Sequence, residues 1–146
     1  MNRFKELIVW QKAMRLAIEV YKLSDKIPAK ERFGLTSQLT RSAVSISSNI
    51  AEGSGRNSLK EYCYFLSIAQ GSSFELETQI LIGQKIKYYT QDDARIVLTL
   101  IQEIQNMLYS FQKTLKKKSL YNHIVINITL LFITVTTLYF VLDTLY

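Results

Sequence analysis

With 146 residues, 48% apolar and 21% charged, the chain is long enough for one domain with a substantial core. One proline and five glycines are too few to turn a sandwich or a barrel, which leaves an all-α fold of long helices. Residues 1–118 hold all 18 basic side chains and 11 of the 12 acidic ones, a surplus of seven positive charges, while the last 28 residues carry only Asp143. A basic body of this kind suits an anionic partner (RNA, DNA or a membrane surface) and equally suits simple solubility.

The first helix is expected from about Phe4 to Lys26. Leu7, Trp10, Met14, Ala17 and Tyr21 repeat at helical spacing, and Val9, Ala13, Leu16, Val20, Leu23 and Ile27 form a second seam beside them. Two adjacent seams would serve a bundle core and a partner surface. Pro28 ends this helix. No signal peptide precedes it, because charges break the amphipathic pattern, so the body is expected in the cytoplasm.

A second helix should cover about Phe33 to Glu52. Ser42, Ala43, Ser45, Ser48 and Ala51 are small enough to let a neighbouring backbone come close, and Gly53-Ser-Gly55 is expected to stop it in left-handed geometry. Ser58 and Glu61 read as a capping box opening the third helix, whose seam runs Leu59, Tyr62, Leu66, Ala69, Ser73, Leu76, Ile80, Gly83. Cys63, the single cysteine, excludes an intramolecular disulfide and reads as a small core residue. The fourth helix opens at Thr90, Asp92 and Asp93 and carries Ala94, Val97, Ile101, Ile104, Leu108, Phe111 and Leu115 inward. Lys113 and Lys116–Lys118 are expected at its C-terminal end, where cations are favoured. Short connections between four such helices predict an antiparallel up-down bundle over residues 1–118.

Residues 119–146 form a hydrophobic tail. Ile124–Leu142 is 19 residues without a charge, about 28 Å as a helix and close to the hydrocarbon thickness of a bilayer. A transmembrane helix is one reading. A strand packed on the bundle and an accidental extension translated from AT-rich sequence are the others.

Leu7-Ile-Val-Trp-Gln-Lys12, Phe33-Gly-Leu-Thr-Ser-Gln-Leu39, the run from Arg41 to Gly53, Ala69-Gln-Gly-Ser-Ser73 and Glu75-Leu-Glu77 resemble the four-helix bundle proteins encoded in 23S ribosomal RNA intervening sequences. That family looks related to the accessory proteins of diversity-generating retroelements. The resemblance implies a homo-oligomer, a pentamer, that binds nucleic acid. The family often has proline where Ser47 stands and arginine where Thr40 stands. The tail has no counterpart in it.

His123 is the one histidine, and no P-loop, Cys/His cluster or dinucleotide motif occurs, so no enzyme, cofactor, metal or small-molecule substrate is expected. Asn49, Glu52, Glu75 and Glu77 could make a carboxylate site, or a hydrogen-bonded network with Arg41 as counter-charge. The candidate nucleic-acid-binding residues are Arg41, Arg56, Lys60, Lys85, Lys87, Lys116, Lys117 and Lys118, with Tyr88 and Tyr89 available for stacking. The alternative is a structural or protein-interaction module tethered to the membrane by its last segment.

Overall fold

The computed structural model describes the backbone of residues 3–143 and the side chains of residues 3–137. Four helices follow in order: α1 Ile8–Ser24, α2 Leu35–Ser54, α3 Leu59–Lys85 and α4 Gln91–Asp143. Short 3₁₀ turns lie at Phe4–Glu6 and Ala29–Glu31, and no strand occurs among the described residues.

Consecutive helices pack together and α1 closes the square against α4. Cross-helix pairs fix the antiparallel sense. Lys12 Nζ donates to Glu103 and Lys26 Nζ to Asp93, each at 2.6 Å, so α4 descends where α1 rises. Ser42 donates to Gln79 at 2.8 Å and the Ser45 and Ser72 hydroxyls meet at 2.9 Å, which sets α3 against α2. Gln105 donates to Glu77 at 2.8 Å and Gln112 to Gln70 at 3.5 Å, which does the same for α4 and α3.

The second seam of α1 is buried throughout, and it meets Leu39, Ile46 and Ile50 of α2, Leu66, Leu76 and Ile80 of α3, and Ile101, Ile104 and Leu108 of α4. Full burial of side chains this size contributes about 1.5–3 kcal/mol each. In the first seam Ala17 is buried, Leu7 and Trp10 pack at the margin, and Met14 and Tyr21 stay exposed. The helix is shorter than the pattern suggested. Leu7 is extended, and past Ser24 the Lys26 and Ile27 amides bond three residues back, so the chain tightens before Pro28 is reached.

The small residues of α2 bring α3 close, although the buried set is Ser42, Ala43 and Ser47, with Ser48 on the outside. The expectation for Gly53-Ser-Gly55 is corrected. α2 continues through Ser54, Gly55 has φ −86°, and no described glycine has positive φ. Gly53 is needed for space: a Cβ there would lie 2.7 Å from Phe65 Cβ and 2.9 Å from Tyr62 Cδ2. Gly83 leaves room in the same way for the ring of Tyr89, whose hydroxyl donates to the Ile80 carbonyl at 2.9 Å. Burial pushes the Tyr89 phenol up to about 12.

A second correction concerns α4. It does not end near Leu115, the last buried residue, and the lysines that follow lie in mid-helix. Neither glycine nor proline occurs between Leu115 and Ile124, and the helix runs on through Asn122. The tail is therefore helical, which removes the packed strand as a reading, and its side chains from Leu120 to Thr137 are exposed.

Alanine should separate the glycines by packing. Gly53→Ala and Gly83→Ala are expected to lose about 1–3 kcal/mol through overpacking. Gly71→Ala, where a Cβ meets nothing within 4 Å, should gain up to about 1 kcal/mol of helix propensity. Urea unfolding followed by Trp10 fluorescence reads the bundle selectively, because Trp10 is the single tryptophan.

Candidate functional site

The eight candidate cations do not form one surface. Lys60 opens α3 and Lys85 closes it, about 38 Å apart along the helix axis. Lys85 and Lys87 therefore sit at the end of the bundle opposite Arg56, Lys60 and Lys116–Lys118. Arg41 lies between, on the flank of α2.

Several of these cations already have partners. Arg41 is bonded to Glu75 and, at 2.9 Å, to Gln38. Arg56 pairs with Glu52 and lies 4.5 Å over the Phe65 ring. Such pairs are exposed and worth at most about 1 kcal/mol, but they lower the charge available to a ligand. Lys87, at φ 65°, occupies the left-handed position after α3. Its amide bonds Gln84 and the Tyr88 amide bonds Gly83, both at 3.0 Å, a Schellman turn in which Lys87 serves the chain reversal.

The tyrosines beside Lys87 are not free for stacking. Tyr89 is 5% exposed with its hydroxyl engaged, and Tyr88 donates to Glu31 at 3.0 Å. Burial and Glu31 together raise the Tyr88 phenol above its ordinary range. Sequence periodicity could not show this, because Glu31 lies far from Tyr88 in the chain and Tyr89 reaches Ile80 only through the reversal that follows α3.

The carboxylates do not assemble into a site either. Glu75 turns to Arg41 on α2, Glu77 to Gln105 on α4, and Asn49 donates to the Ser45 carbonyl at 2.8 Å. Among the described residues no group of three or more His, Cys, Asp or Glu could hold a metal. Arg41 is the counter-charge to Glu75.

What the fold does assemble is a basic neck where α4 leaves the bundle. Lys60 and Lys116, 56 residues apart in sequence, line one groove with Ser119, Leu120 and His123. Tyr109, Lys113 and Lys117 line a second groove that shares Lys116 and Leu120. Among the described residues, Lys60, Lys113 and Lys116–Lys118 make no ion pair. Lys113 was read from the sequence only as a cation at the end of the fourth helix. Beyond the neck, α4 is long and apolar enough to cross a membrane, and none of its most apolar stretch is buried against protein.

Comparison with known proteins reaches the bundle. The sequence matches the family of 23S rRNA-intervening sequence proteins over residues 5–110. A crystal structure of a protein of unknown function from the S23 ribosomal protein family of Bacteroides thetaiotaomicron superposes with a TM-score of 0.68 at 24% identity. It covers 73% of this chain, and the match takes in 99% of that one. A search of curated proteins returned no match.

The opposite end of the bundle carries its own electrostatic signature. The bond from Lys26, then those from Thr90, hold Asp93 down at about 2 against an ordinary 3.8. Because the folded value is depressed, the stabilisation is complete above the ordinary value and is lost as pH falls through about 2. Asp93→Asn should therefore shed that part of the acid dependence. Urea midpoints of both proteins at pH 5 and pH 2 check this: the gap between them should narrow at the lower pH.

Proposed function

The chain belongs to the 23S rRNA-intervening sequence protein family, and on that premise we propose that it is a membrane-tethered, non-enzymatic helical bundle held at the cytoplasmic face by its last helix. The observation that carries this reading is the state of α4 beyond the core. From Leu120 to Thr137 no described side chain is buried and none is charged, with Leu131 65% and Phe132 69% exposed. In water such a rod would present an apolar surface around its whole circumference, whereas in lipid the same surface is solvated.

The threonine hydroxyls of that stretch fit a bilayer as well. Thr129 donates to Val125 and Thr134 to Leu131, both at 2.8 Å, while Thr136 donates to Phe132 at 3.0 Å and Thr137 to Thr134 at 2.9 Å. Each hydroxyl is satisfied by the helix's own carbonyls, as a segment without water requires. Lys113 and Lys116–Lys118, just before the apolar stretch, favour retention of the bundle in the cytoplasm.

Nucleic-acid binding has less support from this geometry. Its cations are divided between two ends, two of them are paired, and the tyrosines are occupied. Association of copies is supported by Met14, Ile18 and Tyr21, which leave an apolar stripe exposed on α1. A 1–118 fragment should therefore be soluble, helical and larger than a monomer by light scattering.

Membrane fractionation with alkaline carbonate extraction tests the anchor. The full chain should resist extraction, and Leu131→Arg with Phe132→Arg should release it, since each central charge costs about 2.5–3.5 kcal/mol on insertion. A full chain that stays in the soluble fraction contradicts the reading. So does a gel shift with RNA or DNA that weakens steeply with salt while the protein remains soluble.

A further inference from the structure

We propose that the groove at the neck, between the first turn of α3 and the exit of α4, seats the phosphate of an anionic phospholipid headgroup, with Lys60 and Lys116 supplying the charge. The proposal rests on the membrane-anchor reading and names a partner for its basic neck.

Three features point to a lipid. The first is composition. The groove of about 400 Å³ combines two cations with Ser119 and His123 as polar partners, over Leu59 and Leu120. A headgroup with the first carbons of its chains presents the same order of charge and then apolar surface. The nearest carboxylate in sequence, Glu61, is held by the Ser58 hydroxyl at 2.7 Å and does not line the groove.

The second is register. Lys116 precedes Ile124 by eight residues, about 12 Å of helix, which with the reach of a lysine side chain spans the headgroup layer above the hydrocarbon. The third is direction. A lipid whose phosphate rests at Lys60 and Lys116 points its acyl chains away from the bundle, along Leu120 and Ile124, which are both exposed. A nucleic-acid backbone would need cations to continue along its track. Here the unpaired ones gather around the start of α3 and the neck of α4 and stop where the apolar surface begins.

The test uses the full chain reconstituted in phosphatidylcholine vesicles, with spin-labelled phosphatidylglycerol or spin-labelled phosphatidylcholine as probe. The immobilised fraction of each probe, read by electron spin resonance, gives their relative association. A preference for phosphatidylglycerol of roughly three- to tenfold is expected. Lys60→Gln with Lys116→Gln should bring it to below about twofold, whereas Lys85→Gln with Lys87→Gln, at the far end, should leave it unchanged. Equal association of the two probes with the unmodified protein overturns the proposal. So does a preference that survives the first pair, or one that falls as much with the second. Protein that fails to float with the vesicles overturns the anchor itself, whereas protein that floats without a preference overturns only the headgroup seat.

Discussion

Between Leu115, where the core ends, and Ile124, where the apolar stretch begins, α4 makes about two and a half turns without glycine or proline. That continuity governs the rest of the molecule. The residues that line the bundle and those that face no protein are carried on one rod, so the direction in which the tail leaves is fixed by the packing of α4 against α1 and α3. It also decides which end of the bundle is adjacent to the apolar stretch. Arg56, Lys60 and the lysines of α4 are at that end because α3 begins there, and Lys85 and Lys87 are remote because α3 ends a full bundle length away.

The helices and their inward faces were legible in the sequence because a 3.6-residue period is a local property. The seam of α3 from Leu66 to Gly83 and that of α4 from Ala94 to Leu115 are buried as the spacing indicated, except that Phe111 is only half-buried. The capping box at Ser58 is present, with the Glu61 amide bonded to the Ser58 hydroxyl at 3.1 Å, and Thr90 with Asp93 forms a reciprocal one. What failed were inferences that needed a partner from elsewhere in the chain. Gly53 looked like a helix stop, and its real constraint is the Cβ of Phe65. Tyr89 looked like a stacking surface, and its real place is against Gly83. The lysines near residue 116 looked like a helix end because a bundle helix was assumed to stop with its core.

The candidate site shows the same division. Residue type and local density singled out the cations, and no local rule could say that Lys60 and Lys116 face one groove or that Lys85 does not. The family match ends at residue 110, so the neck lysines from Lys113 onward and the apolar stretch lie beyond it. The reading of that region rests on solvent physics: exposed apolar side chains, internally bonded threonines, and a basic collar at the boundary.

Accessibility along α4 tests that physics most directly. In a Cys63→Ser background, single cysteines at Lys117 and Leu131 would be exposed to a water-soluble maleimide in membranes, with and without permeabilisation. Rapid labelling is expected at position 117 once the reagent reaches the cytoplasmic face, and none at position 131 until detergent dissolves the bilayer. Labelling at position 131 as rapid as at position 117 in permeabilised membranes, before detergent is added, would contradict the membrane anchor.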